Sequence, residues 1–560
     1  MTRVAGLILV VVLSLAGSMA TRARDDLWAG YSAYVSPYLT DLPATQSTPP
    51  LTNRVVLILI RGLSADVSQS MVSLNALRDH GADYTLQIAE PPYRAPQIMT
   101  LLTGAPPEFH GYTTNFSTAR PLPDNLITQV AASRGNPSVL GSVWWDATFG
   151  RQVLFTPLDF SDLPGHDEDA LRLAREQIGD AAFRSNLIII ELDLIDQLAN
   201  TEPGSLNAAI TTTDSRLTAF MAGLDQSRTT IVVTSDRGAL AANGDIAAVL
   251  ASRVPLVMSG AGVRIGSKGS ANSLHLAPTL AVLLGVPTPA IAQGTPLFPA
   301  LVIPSAQIGD QVSVQTTRLV NLYERWSEVT RRPRFAAELL QQTSLPDPVD
   351  PVRWFRNFEA SLNDRASMER ADALANSART RLPLVVGIAL CLLAVTGLLV
   401  TTHRLAPLLF TVLYWGVWLG WTAATLPGNV SLASFQEGNP TQVFAQLNRG
   451  GTIALLLPTG VAVLTSLREP DALSAISFTM TSLLTGCVSL MLSACAYYWY
   501  WGAAFFSALP DGDAIVGVLA TLTRLGALMM QIPAAGSLQV PLPIIAAIVT
   551  VVAHILFAKR

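Results

Sequence analysis

The chain has 560 residues, half of them hydrophobic and only 14% charged, with a mean hydropathy of +0.39. It is too long for one compact domain, and part of it belongs in a bilayer. Its net charge of −4 and isoelectric point near 5.9 argue against nucleic acid as a partner. All three cysteines, Cys391, Cys487 and Cys495, fall in late apolar segments, so the region before them needs no disulfide and no zinc–thiolate site.

Residues 4–20, "VAGLILVVVLSLAGSMA", follow Arg3. They read either as a cleaved signal peptide, with Ser18 and Ala20 as small cleavage-site residues, or as a retained anchor just long enough to span. Either one places the following domain outside. The predicted organisation is a signal peptide or anchor over 1–26, a linker over 27–52 and an α/β domain over 53–305. In that domain "VVLILI", "LIIIELD", "TIVVTSD" and "VPLVMSG" are the strand candidates. Helix-like stretches such as 205–224 lie between them, which predicts a mostly parallel sheet with flanking helices. Residues 306–380 are helical in pattern, charged and interrupted by "LPDPVDP". They read as a stalk, with a lid or partner surface as the alternative.

Over 381–560, five apolar segments near bilayer length follow: about 382–402, 405–425, 451–467, 473–500 and 541–558. Trp415, Trp418, Trp421 and the run "YYWYW" supply interfacial aromatics. If all five span, His403-Arg404, Arg468 and Lys559-Arg560 share one side. The positive-inside rule makes that side cytoplasmic. The prediction is therefore a multi-pass protein of the cell membrane, with its globular domain extracytoplasmic and its C-terminus cytoplasmic. Residues 502–540 carry a further apolar stretch broken by Arg524 and read as an interfacial or re-entrant helix.

The first strand candidate carries the functional question. In "NRVVLILIRGLSAD" the apolar run Val55 to Ile60 is followed by Arg61 and closed by Gly62. Ligands of open α/β sheets sit just past the carboxyl ends of strands, where Arg61 falls. Further on, "PPYRAPQIMTLLTGAPPEFHGYTTN" resembles the alkaline phosphatase superfamily, in particular its type I phosphodiesterase and nucleotide pyrophosphatase branch. "IIIELDLIDQ", "VVTSDRG" and "RVPLVMSGAGV…HLAPTLAVLLGVPTP" extend the resemblance over about residues 53–296.

That resemblance implies an alkaline-phosphatase-like fold and hydrolytic chemistry on two divalent metals, usually zinc, held by Asp and His. It also implies that most of the equipment is missing. Arg61 stands at the first-strand Asp, Arg94 at the nucleophile and Gln197 at the central His. Arg237 stands at the His of the Asp-His-Gly motif, and no His lies between Gly238 and Val254. His275 falls where the family has an Asp and is a poor substitute, whereas Asp193 and Asp236 remain. Asn115 matches an Asn that contacts a phosphate oxygen.

Guanidinium groups cannot coordinate a cation, but they can neutralise adjacent carboxylates. The expectation is a relic site of Arg61, Arg94, Asn115, Asp193, Asp236 and Arg237, with no catalytic residue and no metal. Counting these residues, it carries a surplus of positive charge suited to phosphate, sulfate or a lipid head group. The function so implied is a pseudoenzyme, either a structural or interaction subunit or a non-hydrolytic binder of an anionic group. Its partners would be membrane lipids and other membrane-protein subunits. The alternative is an active phosphodiesterase or phosphoethanolamine-transferase-like enzyme. Single residues read simply. Asp66 is a helix N-terminal carboxylate, Asp196 a solvated or capping residue, and His110 a hydrogen-bonding residue of the fold. His80 and His166 are surface residues, His554 reaches the membrane interface, and Trp144-Trp145 are packing.

Overall fold

Val55 to Ile60 alternate between two hydrophobic layers. Val55, Leu57 and Leu59 enter one core, while Val56, Ile58 and Ile60 enter another, as expected for a strand buried on both faces. The computed structural model describes residues 4–15, 18, 33–40, 42–43, 45–88, 94–113, 122–158, 163–180, 185–238, 253–342, 350–403, 406–425, 456–501 and 542–557. They form two compact units, one within Ser32–Glu369 and one from residues before and after it.

The first unit is an eight-stranded sheet with helices on both faces. Its strands are β1 (Arg54–Ile60), β2 (Gly81–Gln87), β3 (Pro137–Gly141), β4 (Leu154–Pro157), β5 (Leu187–Leu192), β6 (Thr229–Thr234), β7 (Arg253–Gly260) and β8 (Lys268–Asn272), in the order β4-β3-β5-β1-β6-β7-β2-β8. Strand β1 lies between β5 and β6 and runs parallel to both. Their carboxyl ends therefore meet at one edge, and the residues that follow them converge there. Strand β7 is antiparallel to both β6 and β2, so "VPLVMSG" is a strand of the expected sheet but reversed. Helices Arg94–Thr103 and Leu276–Leu284 cover one face, with Ile98, Leu102, Leu276 and Leu280 in its core. Helices Leu163–Gly179 and Leu206–Met221 cover the other through Ala170, Ala174, Leu217 and Phe220.

The expected stalk is corrected over most of its length. Residues up to Glu369 belong to the first unit. Helix Ser305–Thr330 carries Val312, Leu319, Leu322 and Trp326 on one stripe, at the spacing of one helix face. That stripe packs with Phe109, Ile291 and Phe298, and Phe355, Phe358 and Leu362 complete the cluster. Arg318 is buried in the same helix and donates to the carbonyls of Ala292 and, at 2.8 Å, of Gly294. Of this helix's other charged residues, Asp310 and Glu328 are exposed, whereas Glu324 and Arg325 are half-buried.

Two helical stretches are long and apolar enough to cross a membrane: Ala472–Ser489 in the second unit, and Pro351–Leu398, which begins in the first unit and continues past Glu369. Val4–Leu15, Leu408–Val417, Leu456–Ser466 and Leu542–Phe557 are shorter apolar helices. Leu13, Phe410, Tyr414, Ala462, Ile476, Met480, Leu542 and Ala546 pack into one cluster. Gly6 makes a close crossing there, since a Cβ on it would lie 2.8 Å from the Ser477 amide nitrogen. The predicted interfacial helix over 502–540 lies outside the described residues.

Candidate functional site

Three strand ends build the site. After β1 the chain turns at Gly62, whose φ of +77° is in the left-handed region and whose Cβ, if present, would meet Asp196 Cα at 3.0 Å. This tight passage, bridged to Gly238, holds Arg61 against the sheet edge. After β5, Asp193 is the N-cap residue of helix Leu194–Thr201, so Asp196 occupies the first helical turn. After β6 come Ser235, Asp236 and Arg237. The Ser235 hydroxyl accepts from the Leu63 amide at 3.2 Å and donates to the Arg237 carbonyl at 2.5 Å, tying the β1 and β6 ends together.

The Asp167 carboxylate accepts from the amides of Asp193 at 2.8 Å and Leu194 at 3.2 Å, which anchors the start of the helix. His166 contacts it through Nδ1 at 3.1 Å. The expected surface position of His166 is thus corrected: the ring is buried beside Asp167.

Arg61 lies at the centre of the cluster. Its Nη1 is 2.5 Å from Asp193 Oδ1, its Nη2 2.9 Å from Asp196 Oδ2, and its Nε 3.8 Å from Asp236 Oδ2. Arg237 donates from Nη2 to both carboxylate oxygens of Asp196 at 3.2 Å, and its amide donates to Asp236 Oδ1 at 2.9 Å. Asp196 is therefore buried and paired twice, not solvated. Arg94 forms a second node, with Nη2 donating to Glu191 Oε1 at 2.5 Å and to the Ser142 hydroxyl. Glu191 Oε2 accepts from the Ser142 amide and from Trp145 Nε1, both at 3.1 Å. The Arg94 guanidinium also lies 5.6 Å from the Trp144 ring centroid. Trp145 is a packing residue, stacked on Phe149.

The structure thus brings Arg61, Asp193, Asp236 and Arg237 together and places Arg94 on Glu191. Asn115 lies outside the described residues. It also adds acids the motif comparison omits, Glu191 and Asp196, so three arginines face four carboxylates. The expected surplus of positive charge is corrected to a surplus of one negative charge.

Electrostatics distribute that charge unevenly. Burial alone would raise Glu191, but Arg94 and Arg61 more than offset it and hold the carboxyl down at about 2. Burial likewise opposes ionisation of Asp196, and Arg237 and Arg61 prevail to lower it. At Asp193 burial prevails over Arg61 and pushes the carboxyl up to about 6, and Asp236 is raised for the same reason. Both leave Oδ2 without a hydrogen-bond partner. The negative surplus therefore rests on the two acids that take a proton most readily.

The two divalent metals of the resembled superfamily do not fit these residues. Arg61 falls at the position where the resemblance implies a ligand carboxylate, and its nitrogens are directed at Asp193 and Asp196. A guanidinium is always protonated and has no lone pair to offer. At the two further positions where the resemblance leads one to expect imidazoles, the residues are Gln197 and Arg237. Among the described residues no three of His, Cys, Asp and Glu are grouped to hold a metal ion. Arg94, at the position the resemblance assigns to a hydroxyl nucleophile, opens helix Arg94–Thr103. His275 faces Thr295, with Nδ1 2.8 Å from its carbonyl oxygen.

The remaining single residues take ordinary places. Asp66 is exposed in the first turn of Ala65–Ser68, capped by Ser64. His80 is exposed, and His110 is buried between Thr100 and the Tyr112 amide. Glu191 is the residue that motif reading overlooks. Its signal is a lone acid inside the apolar run "LIIIEL", because a buried carboxylate demands a partner.

No family model and no curated protein matches the chain. Solved structures do. An alkaline phosphatase superfamily protein from Vibrio parahaemolyticus is 18% identical, over 50% of this chain and 79% of its own, with a TM-score of 0.37. A phosphonate monoester hydrolase from Silicibacter pomeroyi is 17% identical, over 45% and 77%, with a TM-score of 0.35. The murine ectonucleotide pyrophosphatase/phosphodiesterase 5 is 14% identical, over 42% and 96%, with a TM-score of 0.33.

Proposed function

We propose that the chain is a membrane-anchored, extracytoplasmic, alkaline-phosphatase-like pseudoenzyme that serves as a structural or interaction subunit. The observation that carries this reading is Arg61, whose guanidinium fills the space between Asp193, Asp196 and Asp236. A site cross-linked in this way by its own side chains has neither a nucleophile nor a ligand set. Its negative surplus also disfavours capture of a phosphate or sulfate at the cluster. The two long apolar helices supply the anchor, and the side carrying Arg468 and Lys559-Arg560 is cytoplasmic. Leu384, Leu390, Leu398 and Ile548 are exposed on apolar helices, a surface suited to lipid or to neighbouring subunits.

The test is hydrolysis by the full-length protein of bis(4-nitrophenyl) phosphate and 4-nitrophenyl sulfate, with and without added zinc. The expected result is no turnover above that of an Asp193→Asn/Asp236→Asn variant. Zinc-stimulated turnover that this variant abolishes would overturn the reading in favour of an active enzyme.

A further inference from the structure

We propose a second site, sharing no residue with the arginine–carboxylate cluster, that binds a short alkyl chain carrying an anionic phosphate head. The first unit contains a cavity of about 340 Å³ lined by Arg264, Phe298, Pro299, Leu301, Ile303, Ile308, Val352 and Arg356. That volume is at the small end of ligand-sized cavities, roughly 300–1,000 Å³. Among the described residues every lining side chain is apolar except the two arginines, and none is a carboxylate. Buried Phe298 is held edge-on against Phe355, with centroids 5.7 Å apart at 88°, so this part of the wall is set by core packing. Arg264 is fixed by donation from Nη2 to the Leu301 carbonyl at 3.2 Å.

Among the described residues neither guanidinium is matched by an acid. Among the described residues Arg264 and Arg356 appear in no ion pair, in contrast to the arginines of the strand-end cluster. Val302 and Ile265, next in the chain to lining residues, are 52% and 68% exposed. Two guanidinium forks in the wall of an otherwise hydrocarbon-lined recess complement a ligand with an anionic head and an aliphatic tail. A free inorganic anion would leave the apolar wall unused, and a neutral alcohol would leave both charges unmatched.

The probe is octyl phosphate, titrated calorimetrically into full-length protein in lipid nanodiscs, with empty discs as the blank. Octanol and inorganic phosphate are the two truncated probes. The expected result is saturable binding of octyl phosphate, with octanol and inorganic phosphate each about tenfold or more weaker. Arg356→Glu, at an exposed position that should not disturb folding, weakens octyl phosphate by a similar factor, while Arg353→Glu on the same helix changes it less than about twofold. Absence of saturable binding overturns the proposal. So does equal affinity in Arg356→Glu, or inorganic phosphate or octanol binding as tightly as octyl phosphate.

Discussion

Replacing Arg61 by alanine tests whether one guanidinium holds three acids together. Its side chain is 8% exposed, and those of Asp193, Asp196 and Asp236 are 1%, 4% and 1% exposed. Asp196 keeps Arg237 as a partner, but among the described residues Asp193 loses its one ion pair, and Asp236 keeps no guanidinium within salt-bridge distance. Removing one member of a buried ion pair costs about 3–5 kcal/mol, because an uncompensated charge stays behind. At about 1–2 °C per kcal/mol for a unit of this size, the apparent Tm of the first unit falls by roughly 3–10 °C. Arg228, exposed on a turn, is the control, and Arg228→Ala changes stability by about 0.5 kcal/mol or less. Thermal unfolding followed by intrinsic tryptophan fluorescence at neutral pH measures both. An Arg61→Ala shift no larger than that of Arg228→Ala would refute the central role of this residue.

Asp193 binds a proton more tightly folded than unfolded, because its carboxyl is raised from 3.8 to about 6. Between those values the native state holds more protons, so this group's contribution to stability falls as pH rises through the window. Asp193→Asn removes that fall, and denaturant midpoints between pH 4 and 6 become flatter; an unchanged slope refutes the assignment. Glu191 has the opposite sign, lowered from 4.5 to about 2. Its stabilisation is present above the unfolded value and is lost as pH drops toward 2. Arg94→Ala leaves Glu191 buried without its ion-pair partner and costs about 3 kcal/mol, and Arg94→Ala/Glu191→Gln recovers most of that loss in a double-mutant cycle. Residues 305–330, packed through Leu319, Leu322 and Trp326, resist limited proteolysis as long as the sheet is folded. Cleavage there in the native protein would restore the stalk reading.

Strands β1, β5, β6 and β7 are legible in the sequence because each is buried and runs apolar for several residues. The reversal of β7 is not legible, since periodicity carries no strand direction. Strand β8, "KGSAN", is largely exposed and has almost no apolar signal. In helix Ser305–Thr330 the stripe was present, but polar residues between its apolar positions masked it. At the site, motif positions lead to Arg61, Arg94, Asp193, Asp236 and Arg237. The pairing of Arg94 with Glu191, 97 residues away in the chain, exists only once β5 and the helix from Arg94 are assembled. Asp196 follows the same rule, since its three-residue offset from Asp193 reads as ordinary helix capping until Arg61 and Arg237 approach it. Charge balance, unlike metal-ligand spacing, is a tertiary property, so the sign of the site followed from the fold and not from the motif.

The most direct test of the account is quantification of zinc and manganese bound to the purified full-length protein after dialysis against a trace of both, alongside Asp193→Asn/Asp236→Asn. With Arg61 occupying the space between the acids, the account predicts far less than one equivalent of metal per chain and the same residual amount in the variant. One or two equivalents in the wild type, lost in the variant, would contradict it.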